Sequence, residues 1–370
     1  MPRRSPARDG ASGGRPAVAV HGCFNTTNFG DQLLLDLARR AVADAGGESV
    51  SPWVHGVPDT AGLAWFAAAL RCDVALFAGG GYLVDAAGRR DKRRLLRYSV
   101  PATAWRWRGT PRAVIGVGVG PHLSPFGRRR VAEVCRGAEV VAARDEASAE
   151  LLRASGVDDV RVTADWVVGL ERRDLPPDAV SAAEATLPDG PRRFGLHLPL
   201  PAGKADAAHA ICRQAAEALR GVEDVEVIFL FDHGVTPTGR ELATRWRDDD
   251  TLPPSRLVHG LPHWSFAAVL ARLDAVLTVK LHVGITAWAL GVPPCSLYAH
   301  GKTGRFYEQI GRDDRARPLA EADGPVTRWL TLFRDDPAAF GGGYDDHRDR
   351  LRAAARENVE LTRAFVGRDL

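Results

Sequence analysis

The stretch AVLTVKLHVGITAWALGVPPCSLY, residues 275–298, contains two short apolar runs separated by a helical pattern. The runs at 275–279 and 294–298 have the length and composition of buried strands, and 283–290 places apolar residues at helical spacing. A strand, a helix and a second strand in close succession predict a parallel β-α-β unit. The fold class therefore depends on whether this unit recurs along the chain.

The same alternation continues through both halves of the sequence. Further apolar runs predict strands at 17–21, 74–77, 113–117, 140–143, 160–163, 194–198 and 225–231. Helical patterns lie between many of them, and 171–191 is rich in Pro, Asp and Arg without a strand pattern. We therefore predict an α/β protein made of two doubly wound, Rossmann-like domains that face a cleft.

The length supports this division, because 370 residues exceed one ordinary domain of about 100–200 residues. The N-terminal segment carries charge but no apolar core, so we predict a disordered arm and no secretory signal. An Arg- and Glu-rich C-terminal segment with apolar residues at helical spacing predicts a long surface helix. The predicted segments are the arm at 1–16, the N-terminal Rossmann-like domain at 17–170, a linker region at 171–191, the C-terminal Rossmann-like domain at 192–345 and the C-terminal helix at 346–370.

Composition excludes several classes of protein. The chain is 45% hydrophobic and 26% charged, which is typical of a globular protein and excludes a disordered or fibrous one. A net charge of +3 gives no general reason to expect nucleic-acid binding. The five cysteines are scattered, so we expect neither a disulfide framework nor a metal site. No run is long enough to span a membrane, and we expect a cytoplasmic protein.

Lysine is rare in this chain, which makes two of its positions informative. Of 49 basic residues only four are lysines, and the rest are arginines. Lys280 and His282 flank one residue at the end of a predicted strand, so in an extended chain they would point to the same side. Lys302 follows the next predicted strand. These residues predict an anion pocket with a proton donor beside it.

Two loops after predicted strands in the first domain offer further polar groups. The first, GCFNTTNFGD at residues 22–31, includes Asn28 and Asp31 and leads into a predicted helix, whose N–H groups can bind an anion. N-capping by Asp31 would explain the same residues without a ligand. The second, Gly79-Gly80-Gly81, allows close approach of a ligand to the backbone, although tight turns also use glycine. It is not a P-loop, since no Gly-Lys-Ser/Thr follows.

A basic run lies beyond the second loop, at residues 89–97. Its basic residues are Arg89, Arg90, Lys92, Arg93, Arg94 and Arg97. Such a run forms a solvated surface or meets an anionic or membrane-bound substrate. The sequence leaves both alternatives open.

Six segments together resemble the polysaccharide pyruvyl transferase family. They are NTTNFGDQLLL, ALFAGGGYLVD, IGVGVGP, AARDEAS, VLTVKLHVGITAWALGVP and KTGRFYEQIG, which occur in the expected order within residues 18–315. The resemblance implies a two-domain fold of the GT-B type. It implies transfer of the enolpyruvyl unit of phosphoenolpyruvate to sugar hydroxyls as a ketal. Where the family commonly has Arg-Leu-His, this chain has Lys280-Leu281-His282, which keeps the charge but not the bidentate geometry.

This chemistry assigns a role to each candidate residue. His282 is the expected acid/base, because histidine titrates near neutral pH. Arg144, which matches the family's Arg-Asp motif, is expected to bind phosphoenolpyruvate together with Lys280 and Lys302. The backbone at Gly80 and Gly81 would assist. Asn28 and Asp31 would face the acceptor or the donor, and no cofactor or metal is expected besides the co-substrate.

Two other functions remain open at this stage. The same cleft would suit a GT-B glycosyltransferase that uses a nucleotide sugar. It would also suit a non-catalytic protein that binds a glycan or a nucleotide sugar. The expected partners are phosphoenolpyruvate and a sugar or glycan-precursor acceptor, with no nucleic acid. The sequence leaves open whether the acceptor is lipid- or nucleotide-linked, whether the chain contacts the inner face of the membrane, and whether it forms a homo-oligomer.

Overall fold

The structure is a computed structural model that describes residues 15–51, 63–85, 89–121, 123–299 and 301–368. The predicted arm at 1–16 lies outside the described residues except for its last two. The chain divides into two compact units. Unit 1 comprises the described residues up to 27 together with 34–166 and 353–368, and unit 2 comprises 28–33 and 167–352.

Unit 1 contains one parallel sheet. Its strands are β1 (Ala17–His21), β2 (Glu48–Val50), β3 (Val74–Ala78), β4 (Arg112–Val117), β5 (Val140–Ala143) and β6 (Arg161–Val162). Its helices are α1 (Phe29–Asp44), whose first residues belong to unit 2, α2 (Leu63–Leu70), α3 (Arg89–Arg108), α4 (Pro125–Cys135) and α5 (Glu146–Arg153). The strand order is β2-β1-β3-β4-β5-β6, and every pairing is parallel. The central strands β3 and β4 are wholly buried, because helices cover parallel sheets on both faces.

Unit 2 contains a second parallel sheet. Its strands are β7 (Arg192–His197), β8 (Val225–Phe231), β9 (Ser255–His259), β10 (Ala275–Thr278), β11 (Pro294–Tyr298) and β12 (Ala316–Pro318). Its helices are α6 (Pro177–Thr186), α7 (Ala205–Leu219), α8 (Pro237–Arg247), α9 (His263–Leu270), α10 (Leu281–Ala289), α11 (Lys302–Gln309), α12 (Pro325–Asp335) and α13 (Pro337–Gly341). The last helix, α14 (Arg348–Val366), begins in unit 2 and belongs to unit 1 from residue 353. From one edge the strand order is β9-β8-β7-β10-β11-β12.

The strand order of unit 2 fixes where a ligand is expected. The chain builds outward from β7 to β9, then returns to the other side of β7 as β10. Helices that leave neighbouring strands on opposite sides open a crevice at their carboxyl ends. The carboxyl ends of β7 and β10 are therefore the expected binding position in this unit.

The predicted α/β fold with two doubly wound parallel sheets is confirmed, and each of the nine predicted strands is present. The sequence pattern missed β2, β9 and β12, each of which lies at the edge of a sheet. All three strands are partly exposed, and β2 and β12 have only three residues each, so they lack the continuous apolar run of a central strand.

Two segments differ from their sequence description. The predicted linker region at 171–191 contains α6, whose Ala179 and Ala183 are buried within unit 2. The C-terminal helix α14 is not only a surface helix, because its Asn358 and Thr362 are fully buried. The Asn358 amide donates a hydrogen bond to the Ala164 carbonyl at 2.8 Å. Among the described residues, no helix combines the length and apolar character needed to cross a membrane.

A buried histidine supplies a hydrogen bond that a proline removes from α3. Pro101 lies inside this helix and has no N–H to donate to the Arg97 carbonyl one turn earlier. The Nε2 atom of His21, at the end of β1, lies 3.1 Å from that carbonyl and donates to it. Burial lowers the pKa of His21 to about 4, and the hydrogen bond to Arg97 offsets only part of this effect. His21 is therefore a neutral structural donor.

Candidate active site

A pocket of about 260 Å³ lies in unit 2 at the carboxyl ends of β7 and β10. Three helix N-termini contribute to its wall: Asn28 precedes α1, Lys280 and His282 lie at the start of α10, and Lys302 and Thr303 begin α11. The first N–H groups of a helix have no partner within it, and the helix dipole adds partial positive charge there. Three such termini and two lysines make the pocket suitable for an anion.

Asn28 forms the terminus of α1 at the pocket. Its side-chain oxygen accepts a hydrogen bond from the Gly30 N–H at 2.9 Å, and its carbonyl accepts from the N–H groups of Asp31 and Gln32 at 3.1 and 3.2 Å. Asn28 therefore caps the helix. The alternative that Asp31 is the cap was wrong, because the helix begins at Phe29 and Asp31 lies within its first turn. A carboxylate at that place is stabilised by the helix dipole.

Gly30 packs directly against His282. A Cβ atom added to Gly30 would lie less than 3.0 Å from the Nδ1, Cγ and Cβ atoms of His282. The neighbouring Phe29 ring packs against the Phe266 ring with centroids 5.0 Å apart, which holds the first turn of α1 within unit 2. A glycine is therefore required where α1 meets His282, which is 8% exposed.

The chain turns sharply between β10 and α10. Thr278 is the last residue of β10, and its hydroxyl accepts a hydrogen bond from the Lys280 N–H at 3.0 Å. Lys280 precedes α10, and His282 is the second residue of the helix. The prediction that both side chains project from one extended strand was wrong, because the Thr278 turn ends the strand first. Both residues nevertheless line the same pocket.

A buried network holds Lys280 in place. The Lys280 ammonium donates to both carboxylate oxygens of Asp232, at 2.9 and 2.7 Å. His197 contacts the same carboxylate, and its Nε2 lies 3.2 Å from Asp232 Oδ1. His197 Nδ1 in turn lies 2.8 Å from the Thr278 hydroxyl. The network thus joins the carboxyl ends of the neighbouring strands β8, β7 and β10.

Burial sets the protonation of this network. It lowers the pKa of His197, and the attraction of Asp232 does not reverse this effect, so the imidazole is neutral. Because the carboxylate can only accept, Nε2 carries the proton and Nδ1 accepts from Thr278. Burial would raise the pKa of Asp232, but the hydrogen bond from neutral His197 and the charge and hydrogen bonds of Lys280 outweigh it and lower that pKa. Asp232 is therefore ionised and paired with the ammonium.

Arg144 is buried in unit 1, directly after β5. Its guanidinium forms ion pairs with Asp145 at 3.3 Å and with Asp165 at 3.2 Å, and the residue is only 5% exposed. Asp145 also caps α5 by accepting from the Ser148 N–H. The local role of Arg144 is therefore to neutralise two carboxylates.

Two glycines, Gly81 and Gly118, pack against this arginine. A Cβ atom added to Gly118 would come within 3.0 Å of the Arg144 guanidinium, and one on Gly81 would lie 3.3 Å from it. The Gly80 carbonyl accepts a hydrogen bond from the Gly118 N–H at 2.8 Å, and Gly80 has a φ of +76°. Packing and backbone conformation explain these glycines without a ligand. The binding of phosphoenolpyruvate by Gly80, Gly81 and Arg144 stays a prediction.

The structure thus divides the predicted site residues between two places. Asn28, Lys280, His282 and Lys302 line one pocket in unit 2, with Asp31 in the adjoining helical turn. Arg144, Gly80 and Gly81 lie together in unit 1.

Sequence reasoning missed three residues of the unit 2 site: Gly30, His197 and Asp232. His197 and Asp232 lie at the ends of predicted strands, where ligands and their supporting residues are expected. Their positions at strand ends could have marked His197 and Asp232 as candidates. Only the strand order, in which β8 lies beside β7 and β7 beside β10, shows that the two residues meet Lys280. The sequence carries no sign of the contact between Gly30 and His282, which are distant along the chain.

The family model for polysaccharide pyruvyl transferase matches residues 28–301. The chain belongs to the polysaccharide pyruvyl transferase family. The matched region begins at Asn28 and includes His197, Asp232, Lys280 and His282, so it contains most of the pocket and its supporting network. No curated protein sequence matches the chain significantly.

Solved structures with similar folds include UDP-GlcNAc 2-epimerases and a protein in complex with UDP and glucose. The UDP-GlcNAc 2-epimerase of Neisseria meningitidis, bound to UDP-GlcNAc, is 12% identical with a TM-score of 0.62, covering 93% of this chain and 98% of that chain. The Anabaena protein HepE, in complex with UDP and glucose, is 13% identical with a TM-score of 0.55, covering 94% and 98%. At such identities the similarity establishes the fold, which is GT-B-like.

Proposed function

We propose that this protein transfers the enolpyruvyl unit of phosphoenolpyruvate to two hydroxyl groups of a sugar, forming a pyruvate ketal on a cell-surface glycan or its precursor. Membership of the pyruvyl transferase family supports the reaction class. The observation that carries the choice of donor is the unit 2 pocket, where three helix N-termini and two lysines surround His282. This arrangement suits a small molecule with a phosphate and a carboxylate.

The size of the pocket also favours a small donor. Drug-sized ligands occupy pockets of roughly 300–1,000 Å³, and this pocket has about 260 Å³. In the proposed complex, the phosphate and carboxylate accept hydrogen bonds from the N-termini of α10 and α11. Lys280 and Lys302 provide charge-assisted hydrogen bonds to the same groups.

His282 performs the proton transfers in this proposal. Its imidazolium protonates the methylene carbon of phosphoenolpyruvate, which makes C2 electrophilic. A sugar hydroxyl attacks C2 and gives its proton to the imidazole. The C2–O bond to phosphate then breaks, a second hydroxyl attacks C2, and loss of its proton closes the ketal. The products are the ketal and inorganic phosphate, and no oxidant or reductant is required.

Asp232 and His197 support this chemistry from beneath the pocket. Asp232 fixes the Lys280 ammonium through two hydrogen bonds, and neutral His197 fixes Asp232. Neither is proposed to touch the substrate. They are positioning residues that hold a flexible lysine at the pocket wall.

A nucleotide sugar is the alternative donor, because the solved structures with similar folds include complexes with UDP-GlcNAc and UDP. A glycosyltransferase would release a nucleoside diphosphate, whereas the proposed reaction releases inorganic phosphate. A binding protein without activity would release neither. The product that is released therefore separates the three functions.

The test is a phosphate-release assay with phosphoenolpyruvate and a panel of sugar acceptors, run beside a nucleoside diphosphate assay with UDP-sugars. We expect acceptor-dependent phosphate release that falls about 10²–10⁴-fold in His282→Ala. Lys302→Ala should raise the KM for phosphoenolpyruvate by about one to two orders of magnitude, since a hydrogen bond to a charged group contributes about 1.5–3 kcal/mol. Lys204→Ala, an exposed lysine of the same unit outside the pocket, is the matched control. Diphosphate release, or full activity in folded His282→Ala, would contradict the proposal.

Lys280 allows a sharper comparison because the family commonly has arginine at this position. Lys280→Arg keeps the charge and should retain more activity than Lys280→Ala. Donor affinity, measured by calorimetry with phosphoenolpyruvate, should fall mainly in the alanine variant. Equal donor affinity in Lys280→Ala and the wild type would assign Lys280 a purely structural role.

A further inference from the structure

Helix α3 of unit 1 exposes an unusual apolar surface. Leu96, Val100 and Trp107 are 37%, 51% and 81% exposed. Only one other large hydrophobic residue in the described part of the chain, Val162, is comparably exposed. Isolated exposed apolar residues are ordinary, but here three of them share one helix.

These three residues lie on one face of the helix. Positions 96, 100 and 107 are four and seven residues apart, a spacing that returns to the same side of an α-helix. The opposite face packs into the sheet through Leu95 and Trp105, which are fully buried. The core of unit 1 therefore packs against one side of α3, and the other side carries an exposed apolar stripe.

Arginines border the stripe. Arg93, Arg97, Arg106 and Arg108 are exposed, and the helix as a whole contains eight basic residues and one acidic residue. Of the basic run predicted from the sequence, the side chains of Arg89, Arg90 and Lys92 lie outside the described residues. An exposed helical face that combines aromatic and aliphatic residues with a high density of arginine is typical of helices that lie at a membrane surface.

We propose that this face, Leu96, Val100 and Trp107 with the flanking arginines, docks on an anionic membrane surface. The apolar side chains enter the boundary between headgroups and acyl chains, where tryptophan is favoured. The arginines bind lipid phosphates and extend their charged ends to the headgroups. This inference does not depend on the identity of the donor, because no residue of the face belongs to the unit 2 pocket.

The charge of this face favours an anionic membrane over a second copy of the chain as its partner. A symmetric dimer through α3 would place the same arginines opposite one another, and like charges in contact disfavour association. Solvation alone explains the arginines but not the exposed tryptophan and valine between them. An anionic bilayer accounts for both the arginines and the apolar side chains, since it has negative headgroups above an apolar layer.

The test is co-sedimentation of the full chain with vesicles of phosphatidylcholine alone or mixed with phosphatidylglycerol. Binding should require the anionic lipid and weaken at high salt. Arg106→Gln combined with Arg108→Gln should weaken binding by about 25-fold, since each basic residue near an anionic surface contributes about a factor of five. Trp107→Ser should weaken it by about tenfold through lost apolar burial. Arg245→Gln combined with Arg247→Gln, on exposed arginines of α8, should bind like the wild type.

A second readout reports insertion. Vesicles with brominated acyl chains should quench part of the wild-type tryptophan fluorescence, and Trp107→Phe should remove that quenching while still sedimenting with the vesicles. Two results would overturn the proposal: equal binding to neutral and anionic vesicles, or unchanged vesicle binding in both the Arg106→Gln/Arg108→Gln variant and Trp107→Ser. Self-association that Trp107→Ser abolishes, without vesicle binding, would assign the face to a second copy. Stronger binding to duplex DNA than to anionic vesicles would likewise refute a membrane role.

Discussion

The contact between Gly30 and His282 gives the sharpest test of the candidate site, through the substitution Gly30→Ala. An added Cβ would lie less than 3.0 Å from three atoms of His282, including its Cβ. Rotation of the imidazole therefore does not relieve the clash, and either α1 or α10 must move. Overpacking of this kind costs about 1–3 kcal/mol.

The same substitution should be favourable where the contact is absent. Residue 30 lies within α1 at a φ that is not positive, so alanine there should gain about 0.5–1 kcal/mol over glycine. In a His282→Ala background the clash is removed and this gain should appear. Gly30→Ala should therefore lower the free energy of unfolding in the wild type and raise it in His282→Ala.

The measurement is a double-mutant cycle by urea denaturation. The cycle should give a coupling free energy of about 1–3 kcal/mol, which lies within the usual range for residues in contact. Gly203→Ala, where an added Cβ meets nothing within 4 Å, serves as the control in both backgrounds and should show no coupling. Additive effects of Gly30→Ala and His282→Ala would refute the packing of α1 on His282 and its position in the pocket.

Three further perturbations test the rest of the structure by urea denaturation. Lys280→Met leaves the Asp232 carboxylate buried without its ammonium and should cost about 3 kcal/mol or more, whereas Lys280→Arg should cost much less. The pKa of His21 is about 4 in the fold and 6.5 as the unperturbed value. The unfolded chain therefore binds more protons between these pH values, and stability should fall by roughly 3 kcal/mol as pH drops from 6.5 to 4. His21→Gln, measured across that range, should flatten part of this slope, and an unchanged slope would contradict the buried neutral assignment. Gly118→Ala should lose about 1–3 kcal/mol against the Arg144 guanidinium, and wild-type stability would show that the arginine is not enclosed there.

The sequence predicts the central strands of both sheets because these strands are covered on both faces. Buried strands such as β3 and β10 consist almost entirely of apolar residues, and that requirement is visible as an apolar run. Edge strands such as β9 have no such requirement, since most of their side chains are partly or fully exposed. The strand order also cannot be read from the apolar pattern, because it depends on where each connecting helix places the next strand in the sheet.

In the candidate site, too, the sequence identifies some residues, while others can be assigned only once the fold is known. Lys280, His282 and Lys302 could be selected from the sequence because lysine is rare and both segments follow strands. Asp232 could not be joined to Lys280 without knowing that β8 lies beside β7 and β7 beside β10. The turn at Thr278 could not be predicted either, because the pattern of apolar residues does not show that the threonine hydroxyl accepts a hydrogen bond and ends the strand.

The pairing of Lys280 with Asp232 explains how one lysine can serve both the fold and a ligand. An ammonium group has three N–H donors, and the two oxygens of Asp232 accept from it at 2.9 and 2.7 Å. The buried carboxylate therefore fixes the nitrogen while a further donor remains for the pocket. Lys302 begins α11 at the same pocket, at the end of a different strand. Loss of Lys280 removes a ligand contact and also leaves a charge unpaired beneath the site, so Lys280→Ala should lower both stability and donor affinity, and Lys280→Arg, which keeps the charge, should lower both less.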